Sequence, residues 1–128
     1  MNDDEWPDLR VDDPQEHLRY FWALRGTYGR ESAHVSDEDL RQFVKDGLSL
    51  CNPMEIREPK EVTRFLALSF LITPEQRAST LLNGVYRVAI ENTDVSASRR
   101  VRFVFKHLVG RKPPSPEPDF GNWFVEIT

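Results

Sequence analysis

Leu40-Arg41-Gln42-Phe43-Val44-Lys45-Asp46-Gly47-Leu48-Ser49-Leu50-Cys51 decides the fold. Within it Leu40, Phe43, Val44, Gly47, Leu48 and Cys51 recur at i, i+3, i+4, i+7, i+8 and i+11, which is one stripe along an α-helix. After a turn-rich break comes the nearly all-apolar run Val62 to Ile72, a second helix with scarcely a polar face, suited to pack on that stripe. The pair predicts the centre of a small helical core. Gly47 costs a helix about 1 kcal/mol relative to Ala, so its place on the buried stripe predicts a close helix crossing.

Start and stop signals extend the reading in both directions. Asp13-Pro14-Gln15-Glu16 combines an N-cap aspartate, proline at the first helical position and glutamate three residues after the cap, and predicts a first helix to about Gly29. Its apolar face is aromatic, with Tyr20, Phe21 and Trp22 beside Leu18, Leu24 and Tyr28. Ser36 caps the second helix, with Asp37, Glu38 and Asp39 in its first turn where negative charge offsets the dipole, and Asn52-Pro53 ends it. A third helix is expected from Glu58-Pro59 to about Ile72. Thr73-Pro74-Glu75 caps a fourth through Leu81, Leu82, Val85, Val88 and Ala89, and Ser96 starts a fifth along Val101, Val104, Phe105 and Leu108. The expected fold is all-α: a single compact bundle of about five helices over residues 14–110, with an acidic N-terminal arm and a Pro-rich C-terminal tail.

The arm, residues 1–13, carries Asp3, Asp4, Glu5, Asp8, Asp12 and Asp13 against the single base Arg10 and is expected to be loosely ordered, with Trp6 and Leu9 as anchors. The tail, residues 111–128, opens with Lys112-Pro113-Pro114-Ser115-Pro116-Glu117-Pro118, which holds four of the nine prolines. As a polyproline-like spacer it reaches about 20 Å at roughly 3.1 Å per residue. It delivers Phe120, Trp123, Phe124, Val125 and Ile127, either back onto the chain's own core or as a tethered anchor for a partner or a second subunit.

Composition excludes several classes. A chain of 128 residues with 30% charged and 39% apolar residues is ordinary globular material for one domain. The N-terminus lacks the basic-then-apolar order of a signal peptide, and Val62 to Ile72 falls short of the roughly 20 residues of a membrane helix, so no export signal or membrane contact is expected and a cytoplasmic location is permitted. The single Cys51 sits on an apolar stripe and reads as a packed thiol rather than a nucleophile. His17, His34 and His107 lie on separate segments without metal-ligand spacing. No metal, cofactor or catalytic residue is therefore assigned, although a helical site assembled from residues distant in sequence stays outside such a reading.

Charge layout is the remaining surface signal. Arg99, Arg100, Arg102, Lys106, Arg111 and Lys112 fall within fourteen residues that contain no acid. A nucleic-acid footprint would use this basic face, but the chain's net charge of −4 disfavours it. The acidic arm is the alternative complement, within one molecule or between two proteins.

The order Leu40-Arg41, Val44, Gly47-Leu48, Cys51, Met54 and Ile56, then Glu61-Val62, Phe65, Leu68 and Phe70, and later Arg99 resembles a family of small helical accessory proteins encoded beside type VI secretion effectors in Gram-negative bacteria. The resemblance covers about residues 17–108; the Pro53-Met54 link and the tail depart from it. It implies a role in toxin delivery or neutralisation and supplies no catalytic residues. The expected function is a protein-binding adaptor or chaperone for a secreted effector or its loading protein, gripping through Tyr20, Trp22 and the tail anchor. An immunity protein is the alternative, with Asp3, Asp4, Glu5 and Asp8 mimicking phosphates toward a toxin. A small nucleic-acid-binding regulator using Arg99, Arg100 and Arg102 is the second. A homodimer is left open.

Overall fold

Leu40, Val44, Gly47, Leu48 and Cys51 of the stripe are buried and Phe43 is partly buried against the core, and the other helices are arranged around them. The computed structural model describes residues 6–110, apart from the side chains at 77 and 80–82. Within that range the chain is all-α, with six α-helices and no strand: α1 (Pro14–Thr27), α2 (Asp37–Cys51), α3 (Pro59–Leu71), α4 (Pro74–Ala78), α5 (Thr80–Glu91) and α6 (Ala97–Val104), the last continued by a π-helical turn, Phe105–Val109. Asp3, Asp4 and Glu5 of the expected arm, and the spacer and anchor over 111–128 with Phe120, Trp123, Phe124, Val125 and Ile127, lie outside the described residues.

The helix starts follow from short polar side chains accepting from the first free amides. Asp13 Oδ1 accepts from Gln15 N (2.9 Å), Ser36 Oγ from Asp39 N (3.1 Å) and Ser96 Oγ from Arg99 N (3.4 Å). Thr73 forms a complete capping box with Gln76: Thr73 Oγ1 accepts from Gln76 N while Gln76 Oε1 accepts from Thr73 N. Glu16, three residues beyond the Asp13 cap, does not turn back to it; it is buried and pairs with Arg19 at 2.6 Å.

Two expectations change. The single fourth helix is two, because Ser79 adopts an extended conformation (φ −73°, ψ 119°) and its carbonyl then accepts from Asn83 N, opening a fresh helix. A serine favours that role over mid-helix because its hydroxyl competes for backbone partners. The N-terminal segment is tied down from Asp8 onward: Leu9 N donates to Asn52 Oδ1 (2.8 Å), Asn52 Nδ2 donates to Leu9 O (3.0 Å), and Arg57 Nε donates to Asp8 Oδ1 (2.9 Å). Among the described acids of the arm, Asp8 thus pairs with Arg57 and not with the basic α6.

The core gathers Tyr20, Phe21, Ala23 and Leu24 of α1, the α2 stripe, Val62 and Phe65 to Leu68 of α3, and Ala97, Val101 and Val104 of α6, with Phe105 and Leu108 from the π turn. Arg25, near the end of α1, binds the loop into α2 with both terminal guanidinium nitrogens: Nη1 donates to Ser32 O (2.6 Å), and Nη2 to Val35 O and Asp37 Oδ1 (2.8 Å each). Gly110, at φ 83°, closes the π turn in the left-handed region that glycine tolerates.

Gly47 is the crossing point that the stripe predicts. A Cβ there would lie 2.2 Å from Leu66 Cδ2, so the fully buried Leu66 side chain would have to shift to admit it. Overpacking costs about 1–3 kcal/mol, against about 1 kcal/mol gained in helix propensity. Gly47→Ala is therefore expected to lose a net stability of about 1 kcal/mol in urea unfolding; a variant as stable as the parent would mean that Leu66 repacks freely.

Candidate functional site

A broad concave apolar surface lies between α5 and α6. The two helices are joined by the turn Asn92–Val95, in which Val95 N donates to Asn92 O (3.1 Å) and Asn92 Oδ1 accepts from Asp94 N (3.2 Å). Beneath it Arg100 fixes the hairpin, its Nε donating to Val95 O (2.8 Å) and its Nη1 to Ile90 O. Above that tie runs a groove of about 820 Å³ walled by Val85, Val88, Ala89, Val95 and Phe103, with Arg99 at its edge.

Two of those apolar walls face solvent. Val88 is 73% exposed and Phe103 42%, although both sit on otherwise amphipathic helices. Phe103 is backed by His107, with ring centroids 4.3 Å apart. Gly84 lies in the same groove, and a Cβ there would meet nothing within 4 Å. Nothing in the described part of the chain uses that gap, whereas Gly47 is explained by Leu66. Arg99 lines the groove, and Arg102 of α6 and Lys106 of the π turn that follows are exposed as well, so the cations cluster on this part of the chain. The arrangement suits an extended or helical apolar segment that carries acids at its flanks.

A second exposed apolar stripe, Leu18 and Trp22, runs along α1. It borders a more polar depression that includes Glu38, Arg41 and Lys45, with the Arg41 guanidinium 5.3 Å from the Phe21 ring centre. Of the two aromatic contact residues expected on this helix, only Trp22 is available. Tyr20 is buried in the core, where loss of solvent pushes its hydroxyl ionisation upward, so it supports the fold and cannot touch a partner.

The basic face needs the same correction. Arg99, Arg102 and Lys106 are exposed, but Arg100 is buried and donates to backbone carbonyls on three segments, the third being Glu55 O in the turn between α2 and α3 (3.3 Å). Spacing carried this signal, since Ala97, Arg100, Val101 and Val104 occupy i, i+3, i+4 and i+7 of the buried stripe.

Cys51 is buried, its Sγ donates to Gly47 O (3.3 Å), and burial pushes the thiol well above its ordinary range, which keeps it protonated and inert. His17 Nε2 donates to Val11 O, while His34 and His107 are exposed and far apart in sequence. No three of the described His, Cys, Asp and Glu side chains could hold a metal ion together. A smaller cleft of about 330 Å³ among α2, α3, α5 and the π turn presents Asp46 and Tyr86 as its ionisable side chains, and Asp46 is engaged by Gln42 Nε2 (2.7 Å). No described helix is long and apolar enough to cross a membrane.

No family model, curated protein or solved structure matches this chain.

Proposed function

We propose that this domain is a non-catalytic protein-binding module that receives an apolar, acid-flanked segment of another protein in the α5–α6 groove. The observation that carries the reading is the juxtaposition of exposed Val88 and Phe103 with an unfilled helix glycine, Gly84, in one groove bordered by Arg99. Anchoring of this type places most of the binding energy in a few desolvated apolar side chains, with cations setting orientation and encounter rate. The resemblance of residues 17–108 to accessory proteins of type VI secretion makes a secreted effector, or the protein that loads it, the partner of choice, and the role that of an adaptor.

The test is calorimetric titration of the full chain with the purified products of its neighbouring genes. Val88→Asp and Phe103→Asp are each expected to weaken the complex at least about tenfold, equivalent to about 1.4 kcal/mol, and Trp22→Ser to leave it unchanged. Absence of any binding would overturn the reading. Binding that ignores the groove but fades when Asp3, Asp4, Glu5 and Asp8 are neutralised would favour the immunity role instead.

A further inference from the structure

The geometry points to the chain's own segment Phe120–Ile127 as the resident occupant of the α5–α6 groove, to be displaced by any external partner; this rests on the groove being a peptide-binding surface. Three observations converge on it. The helix that forms one wall precedes that segment in the chain, separated from it only by the spacer, and its π turn ends at Gly110 in the left-handed region (φ 83°), where a helix cannot continue. From Gly110 back to Phe103 is seven residues, or about 10 Å of helix, and back to Arg99 about 16 Å at 1.5 Å per residue. Lys112–Pro118, if extended as its prolines favour, would reach about 20 Å, long enough to return the anchor to either point.

The chemistry of the segment also matches the groove. Phe120, Trp123, Phe124, Val125 and Ile127 are apolar, and Glu117, Asp119 and Glu126 are the only charged residues between 113 and 128. They meet a groove walled by valines and Phe103, with Arg99, Arg102 and Lys106 exposed along α6. Gly84 adds space against the α5 backbone that the described chain leaves unused, which a bulky ring such as Trp123 can fill. A tether this short holds its end at an effective concentration on the order of millimolar, so an outside segment of the same chemistry competes against a standing occupant. The anchor is then an internal competitor of the partner rather than its contact.

Paramagnetic broadening in the full chain tests this. Asn122→Cys carries a nitroxide, while Cys51, fully buried, stays unlabelled. The expected result is loss of amide signal at Gly84, Val88, Asn92, Arg99 and Phe103, with Leu18 and Trp22 intact. It should be independent of protein concentration and abolished by Trp123→Ser with Phe124→Ser, changes that leave the described core untouched. Uniform broadening, broadening at Leu18 and Trp22, or none would overturn the proposal. So would a signal loss that appears only when labelled and unlabelled chains are mixed, which would identify a second copy as the occupant. No partner is needed, so this outcome stands apart from the titration above. If that titration also succeeds, the same double variant should bind the partner more tightly; weaker binding would return the anchor to the role of partner contact.

Discussion

Arg100→Met should lower the unfolding free energy by about 3–5 kcal/mol, the largest loss expected from one side chain of similar volume. The guanidinium is 3% exposed and donates to Val95 O, Ile90 O and Glu55 O, so it joins the end of α5, the turn before α6 and the turn between α2 and α3. Hydrogen bonds from a charged donor contribute about 1.5–3 kcal/mol each, and the 3.3 Å bond to Glu55 lies at the weak end. Relief of the buried charge offsets part of the sum, but methionine leaves buried carbonyls without their donor. In a domain of this size the loss corresponds to a fall in Tm of roughly 11–19 °C. Arg100→Lys keeps the charge without the planar fork and should fall between the two. A drop below about 1 kcal/mol for Arg100→Met would show that the three segments are held by their packing alone.

The second large effect concerns α3. Glu61 is fully buried and accepts from Arg64 Nη1 at 2.7 Å, with the Arg64 side chain 11% exposed. Removing one member of a buried pair costs about 3–5 kcal/mol, because a desolvated charge is left behind, whereas replacing both by apolar groups of similar volume is often neutral or stabilising. Arg64→Met is accordingly expected to destabilise by about 3 kcal/mol, and Glu61→Met with Arg64→Met to recover most of that loss. Chemical denaturation of the two single variants and the double variant reads the coupling directly. If the double variant is as unstable as Arg64→Met, the deficit arises from lost packing of the arginine stem and not from the buried carboxylate.

Those two residues also mark where reading the residues in order fell short. Helix starts at Asp13, Ser36, Thr73 and Ser96 were legible because a cap is a local bargain between one side chain and an amide two or three residues on. The α2 stripe and the crossing at Gly47 were legible because periodicity is local too. Arg100 was expected on an exposed basic face and Glu61 was not singled out as buried, because charged residues are rarely buried without a partner, and part of what compensates Arg100 is a carbonyl 45 positions away. Their spacing gave them away: Glu61, Phe65 and Leu68 share one face of α3 just as Arg100 shares the stripe of Ala97 and Val104. The groove was hidden for a different reason. Val85, Val88 and Ala89 repeat at helical intervals like a core stripe, and only the placing of α5 beside α6 leaves Val88 in solvent.

Asn52 ends α2 and also grips Leu9 with both atoms of its amide, imitating a neighbouring strand across 43 positions of chain. A latch of two neutral hydrogen bonds and one ion pair on the exposed Asp8 is worth roughly 2–3 kcal/mol, well below the stability of a whole domain. Its closure must wait until α1 and α2 have met, since an open loop of that length gains nothing by closing early. The described residues ahead of α1 are therefore held by this latch together with the partly buried Leu9 and Val11, an attachment local enough to open at less cost than the core beneath it.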